Sequence, residues 1–192
     1  DKIIGSLRER LRDHIIKTRD TGFMAEGEMM HAAADGSVYE MAKDPNRYAI
    51  ADILEVAEFV GKVESVHQLD SYLVSSDASV RFWALNALDA FEGDISSQKA
   101  NLEKLLKDAS IPNRSLAAEL LINKLDDSHD ALQTLEELML ITENEVDLLH
   151  VAVAVRNIGN KANPLVSSIQ AELFPKIAGD VWGRYKNWSY PM

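Results

Sequence analysis

Leu7, Leu11, Ile15 and Ile16 recur at about four-residue spacing, with Arg8, Arg10, Arg12 and Lys17 between them. That spacing gathers the apolar side chains on one stripe and predicts an amphipathic helix from about Lys2 to Thr18. The helix is expected to stop within 19-RDTGF-23, with Gly22 as a left-handed cap. From Met24 to Tyr48 the period is lost, and Gly27, Gly36 and Pro45 interrupt what remains. The expectation there is a long irregular leader holding one short helix, at Val38 to Lys43. From Arg47 onward apolar residues return at three- and four-residue spacing. They predict helices at roughly 49–61, 63–75, 78–92, 97–108, 113–125, 130–142, 144–158 and 164–174. No segment alternates with period two, so the fold class expected is all-α.

The helical train also repeats itself. Three segments align: 80-VRFWALNALDAFEG-93, 114-RSLAAELLINKLDD-127 and 146-VDLLHVAVAVRNIG-159, with starts 34 and 32 residues apart. Ala84, Ala118 and His150 share one column, Leu88, Ile122 and Ala154 the next, and Phe91, Leu125 and Asn157 a third. A small residue lets two helices approach, and an apolar one four residues later faces the same core. A further helix precedes each segment, and Asp77, Asn113 and Asn144 stand where N-caps are expected. The block 76-SDASVRFWALNAL-88 resembles the HEAT-repeat signature, which implies helical pairs that must stack to bury their faces. Arg81 carries the arginine of that signature, and Ser115 and Asp147 replace it in the other two segments.

Charge narrows the partners. The 192 residues carry a net −11, which argues against nucleic acid, whose phosphates require a clustered basic surface. Asn123 to His150 holds eight acids and one lysine, a net −7, whereas the first twenty residues hold six bases and four acids, a net +2. An acidic stretch of that kind is expected to be a solvated helix face. No run of 18 apolar residues is present, so no membrane span is expected. With no cysteine, disulfides, thiol catalysis and thiolate metal sites are excluded. A chain opening on Asp1 is expected to be a processed protein or part of a longer one.

Two N-terminal stretches are more specific: 1-DKIIGSLRERLRDHIIKTRDTGFMAEGEM-29 and 37-SVYEMAKDPNRYAIADILEVAE-58. Together they resemble the end of a bacterial formylglycine-dependent sulfatase, whose catalytic domain closes with a helix leading into TRDTGF. A subset of that family continues through YEMAxDPxRY into a HEAT-like tail. The resemblance implies two parts, the terminal helix and connecting loop of a sulfatase-like core over 1–46 and HEAT-like repeats over 47–192. It implies a non-catalytic accessory domain whose partner is the catalytic domain of the same polypeptide. The parent would act on sulfated glycans with calcium and formylglycine, in a periplasmic or extracellular setting. The resemblance places the catalytic domain and its cofactors outside this chain, which is not expected to be an enzyme or to hold a cofactor of its own. The alternative is a free-standing HEAT-type scaffold that binds a protein along one face.

Several residues invite chemistry. Glu26, Glu28 and His31 place carboxylates beside an imidazole, a pattern for a metal or an acid–base pair, and equally that of an exposed polar loop. The resemblance implies that these residues and Arg19 line the rim of the catalytic pocket, with Arg19 and Lys17 suited to a sulfated anion. Asp126, Ser128, Asp130 and Glu137 fall at positions 1, 3, 5 and 12 of a calcium loop. Ala131 stands where its glycine is required, so first-turn acids explain them more simply. His150 is expected to be an inter-helix histidine. Trp182, Tyr185, Trp188 and Tyr190 suggest either a platform for sugar rings or a cap on the end of the repeats.

Overall fold

The computed structural model describes residues 2–177, and every regular element among them is helical. The chain divides into two compact units, Asp1–Gly93 and Asp94–Met192. The expected boundary at residue 46 therefore falls inside the first unit.

In the first unit α1 (Lys2–Thr18) leads into a 3₁₀ turn (Thr21–Phe23), α2 (Glu26–Ala32) and α3 (Val38–Lys43). Then come α4 (Ile50–Ala57), a 3₁₀ turn (Val66–Leu69) running into α5 (Asp70–Leu73), and α6 (Ala78–Asp89). The core is built where α6 packs against α4 and α5, and it buries Met41, Tyr48, Ile53, Val56, Leu69, Leu85 and Leu88. α6 starts where Asp77 was expected to cap it: the carboxylate accepts from the Ser79 and Val80 amides at 2.7 and 3.1 Å. Asp77→Ala should cost about 1 kcal/mol in chemical denaturation, with Asp77→Asn losing little, because its amide oxygen can take the same cap bonds.

Two expectations for the N-terminal region are corrected. The stretch 24–48 is not a long irregular leader, because α2 occupies Glu26–Ala32 as well as α3 occupying Val38–Lys43. Glu26 and Glu28 in the first turn complement the helix dipole, and Arg47 donates to the Ala32 carbonyl at its far end. Gly22 is not the left-handed cap of α1. Arg19 takes that conformation, at φ 52°, with its amide on the Ile16 carbonyl and the Asp20 amide on the Ile15 carbonyl, a Schellman closure.

The second unit contains a 3₁₀ turn (Ser96–Gln98), α7 (Lys99–Leu105), α8 (Ile111–Lys124), α9 (His129–Ile141) and α10 (Glu145–Ile158). A 3₁₀ segment (Gly159–Leu165), α11 (Val166–Ser168) and a π turn (Ile169–Leu173) follow. α8 is the hub of this unit, packed against α7, α9 and α10. Its N-cap is Ser110, not Asn113. Pro112 suits the first turn, and Asn113 lies one turn in and fully buried. Asn144 caps α10 as expected, accepting from the Val146 amide at 2.9 Å. The first two repeat columns are buried at Ala84, Ala118, Leu88, Ile122 and Ala154, while His150 is half-buried. The third column is not a core column: Phe91 and Leu125 are half-buried and Asn157 is exposed.

Candidate functional site

The densest set of long-range polar contacts in the first unit joins the two N-terminal stretches to each other. The end of α1 turns at Arg19, whose side chain reaches the end of α3 and the segment that follows it. Nε of Arg19 donates to the Ala42 carbonyl, and Nη2 donates to the carbonyls of Tyr48 and, at 3.4 Å, Asp44. The guanidinium also lies over the Tyr48 ring, 5.8 Å from its centroid. In return the Tyr48 hydroxyl donates to the Asp20 carbonyl. Tyr48 is only 1% exposed, and burial, with the Asp20 charge second, raises its hydroxyl well above the ordinary tyrosine value.

Two further contacts extend this joint. Trp83 Nε1 on α6 donates to the Phe23 carbonyl at 2.7 Å, and the two rings meet at 5.8 Å between centroids. Trp83 is accordingly half-buried. Arg47 bridges the end of α2 to Asp35, at 2.6 Å, and draws that carboxyl below its usual range. Residues 18–23 and 39–48 thus carry matched halves of one structural joint.

Beside the joint lies an open cleft of about 720 Å³, walled by residues 17–21 and by Val38, Tyr39, Ala42 and Lys43. Arg19 lines it with its guanidinium already committed to backbone carbonyls. None of the hydrogen bonds of Arg19 reaches Glu26, Glu28 or His31, and those three residues lie outside the cleft. They sit on α2, with Glu26 and Glu28 in its first turn and His31 in its last. Among the described residues no group of three or more His, Asp or Glu is arranged to hold a metal ion. The acids of the calcium-loop pattern serve other partners: Asp126 accepts from Lys161 at 3.2 Å, and Glu137 accepts from Arg114 at 2.9 Å. Trp182, Tyr185, Trp188 and Tyr190 lie outside the described residues.

Tyr48, Tyr39 and Lys43 were visible in the sequence only as letters of a motif, because nothing in helical spacing says that residue 48 reaches residue 20. Among the described residues no helix is long and apolar enough to cross a membrane. Comparison with protein-family models, curated proteins and solved structures gives no match.

Proposed function

We propose that this chain is a non-catalytic accessory module of a sulfatase-like enzyme acting on sulfated glycans, with α1 the element it shares with the catalytic domain. The observation that carries the reading is α1 itself. Ile3, Ile4, Leu7 and Leu11 are 76, 50, 58 and 58% exposed, and Ile15 alone on that helix is buried. An apolar stripe of three turns is stable in water only against a partner. The joint of Arg19 with Tyr48 supports the same reading, because it holds the last turn of α1 in one orientation to the helices that follow. Whatever packs on the stripe is then braced by the module. The calcium and formylglycine of the resemblance belong to the catalytic domain, and the setting follows the parent, periplasmic or extracellular. The pairs α7 with α8 and α9 with α10, and the buried repeat columns, support a HEAT-like stacking of the repeats.

Hydrogen exchange on the isolated chain and on the polypeptide encoded by the full reading frame tests this. Amides of Ile3 to Leu11 should exchange at least about tenfold more slowly in the longer polypeptide, because docking removes local fraying. Equal exchange in both sinks the reading. The isolated chain should hydrolyse no aryl sulfate.

One observation favours the scaffold alternative. Leu140, Ile141 and Leu149, within the acidic stretch of α9 and α10, are 53, 54 and 57% exposed. Saturable binding of a basic amphipathic peptide, lost on Leu149→Asp, would speak for a protein partner on that surface.

A further inference from the structure

The cleft beside α3 differs in charge from the molecule around it. In a chain of net −11, its walls bring together Lys17, Arg19 and Lys43 against the single carboxylate of Asp20. Arg19 is fixed by its carbonyl partners and contributes a stationary positive charge. Lys17 and Lys43 are exposed, line the cleft and form no ion pair among the described residues. Tyr39 stands over the same cleft with 68% of its surface exposed, large for an aromatic ring. The Lys43 ammonium sits 3.9 Å from the centroid of that ring.

An exposed ring beside a cation in a cleft of this size matches a ligand with two chemistries: a face that stacks and an oxyanion that accepts hydrogen bonds. A bare anion has no use for Tyr39, and a neutral sugar has none for the lysines. We infer that this cleft is an accessory binding site for a sulfated saccharide, with Tyr39 stacking on the sugar ring and Lys17 and Lys43 donating to the sulfate ester. Arg19 acts as a positioning residue, holding 17–21 against 38–43 so that the two lysines face one space. The choice of sulfate as the oxyanion rests on the function proposed above; the charge and the exposed ring of the cleft do not.

Calorimetric titration of the full chain tests the site, with a chondroitin 4-sulfate disaccharide, its desulfated counterpart and inorganic sulfate as probes. The sulfated disaccharide should bind, and the other two should bind at least about tenfold more weakly. Tyr39→Ala, Lys43→Ala and Lys17→Ala should each weaken binding about tenfold, with an unchanged thermal midpoint, since all three side chains are exposed. Absence of binding, or binding unmoved by all three substitutions, overturns the proposal. Inorganic sulfate binding as tightly as the disaccharide, with Tyr39→Ala silent, also overturns it, because the site would then recognise an anion and no sugar. Each of these results is independent of hydrogen exchange in α1, so the site and the accessory reading fail separately.

Discussion

Tyr48→Ala is expected to lower the stability of the first unit by about 3–5 kcal/mol, the cost of emptying a fully buried aromatic site. The same substitution removes the ring under the Arg19 guanidinium and the donor to the Asp20 carbonyl, so the turn at 19–23 should loosen with it. Tyr48→Phe separates the two contributions. It keeps the ring and deletes one hydrogen bond, and should cost about 1 kcal/mol. Alkaline pH provides a third arm. A hydroxyl whose pKa is raised on folding contributes stability below its unfolded value near 10 and loses it as pH climbs toward the folded value. The parent chain should therefore hold its stability through neutral pH and lose it above about pH 10, and Tyr48→Phe should lose less there. Urea denaturation followed by circular dichroism at neutral and alkaline pH measures all three. A Tyr48→Ala midpoint within error of the parent would show that the joint does not hold the unit together.

The same joint explains why part of the fold was legible and part was not. The helices beyond residue 47 announce themselves through three- and four-residue spacing, and Asp77 and Asn144 mark two starts by the short-range chemistry of N-caps. Those signals are local, so a sequence carries them openly. α2 is seven residues long, contains Gly27 and begins at Ala25 without a side-chain cap. Its supports are distant in sequence, α3 packed against it and Arg47 donating to the Ala32 carbonyl from fifteen positions away, which no window of a few turns can see. Arg19 misled for a related reason. Glycine is the usual left-handed residue, and Gly22 stood nearby, but the carbonyls of Ala42 and Tyr48 offset the cost of placing an arginine there. For the candidate site, the family resemblance pointed to Lys17 and Arg19. It gave no sign that α3 would set Tyr39 and Lys43 opposite them, since that juxtaposition depends on the joint.

TRDTGF and YEMAKDPNRY, the two segments that carry the family resemblance, are therefore best understood as mechanical. Their distinctive side chains Arg19, Arg47 and Tyr48 each end on a backbone carbonyl of another segment. Such contacts fix the direction of the chain between the segments they join.

Leu88→Ala is expected to have the second large effect, about 2–5 kcal/mol, because the side chain is fully buried in α6, which packs against α4 and α5. The repeat alignment places Ile122 of α8 in the same column, also fully buried, so Ile122→Ala should cost a similar amount in the second unit. Leu149→Ala provides the control: at 57% exposure it should shift stability by no more than about 0.5 kcal/mol. Hydrogen exchange locates each loss, in α4 and α6 for Leu88→Ala and in α8 and α10 for Ile122→Ala. If Leu88→Ala and Leu149→Ala gave equal midpoints, apolar spacing would be ordering helices along the chain without deciding which of their faces carries the packing. A large gap between them means that α6 packs through the face the alignment picks out, where the first two segments share a small residue for approach, Ala84 or Ala118, and a branched one four positions on, Leu88 or Ile122, to fill it.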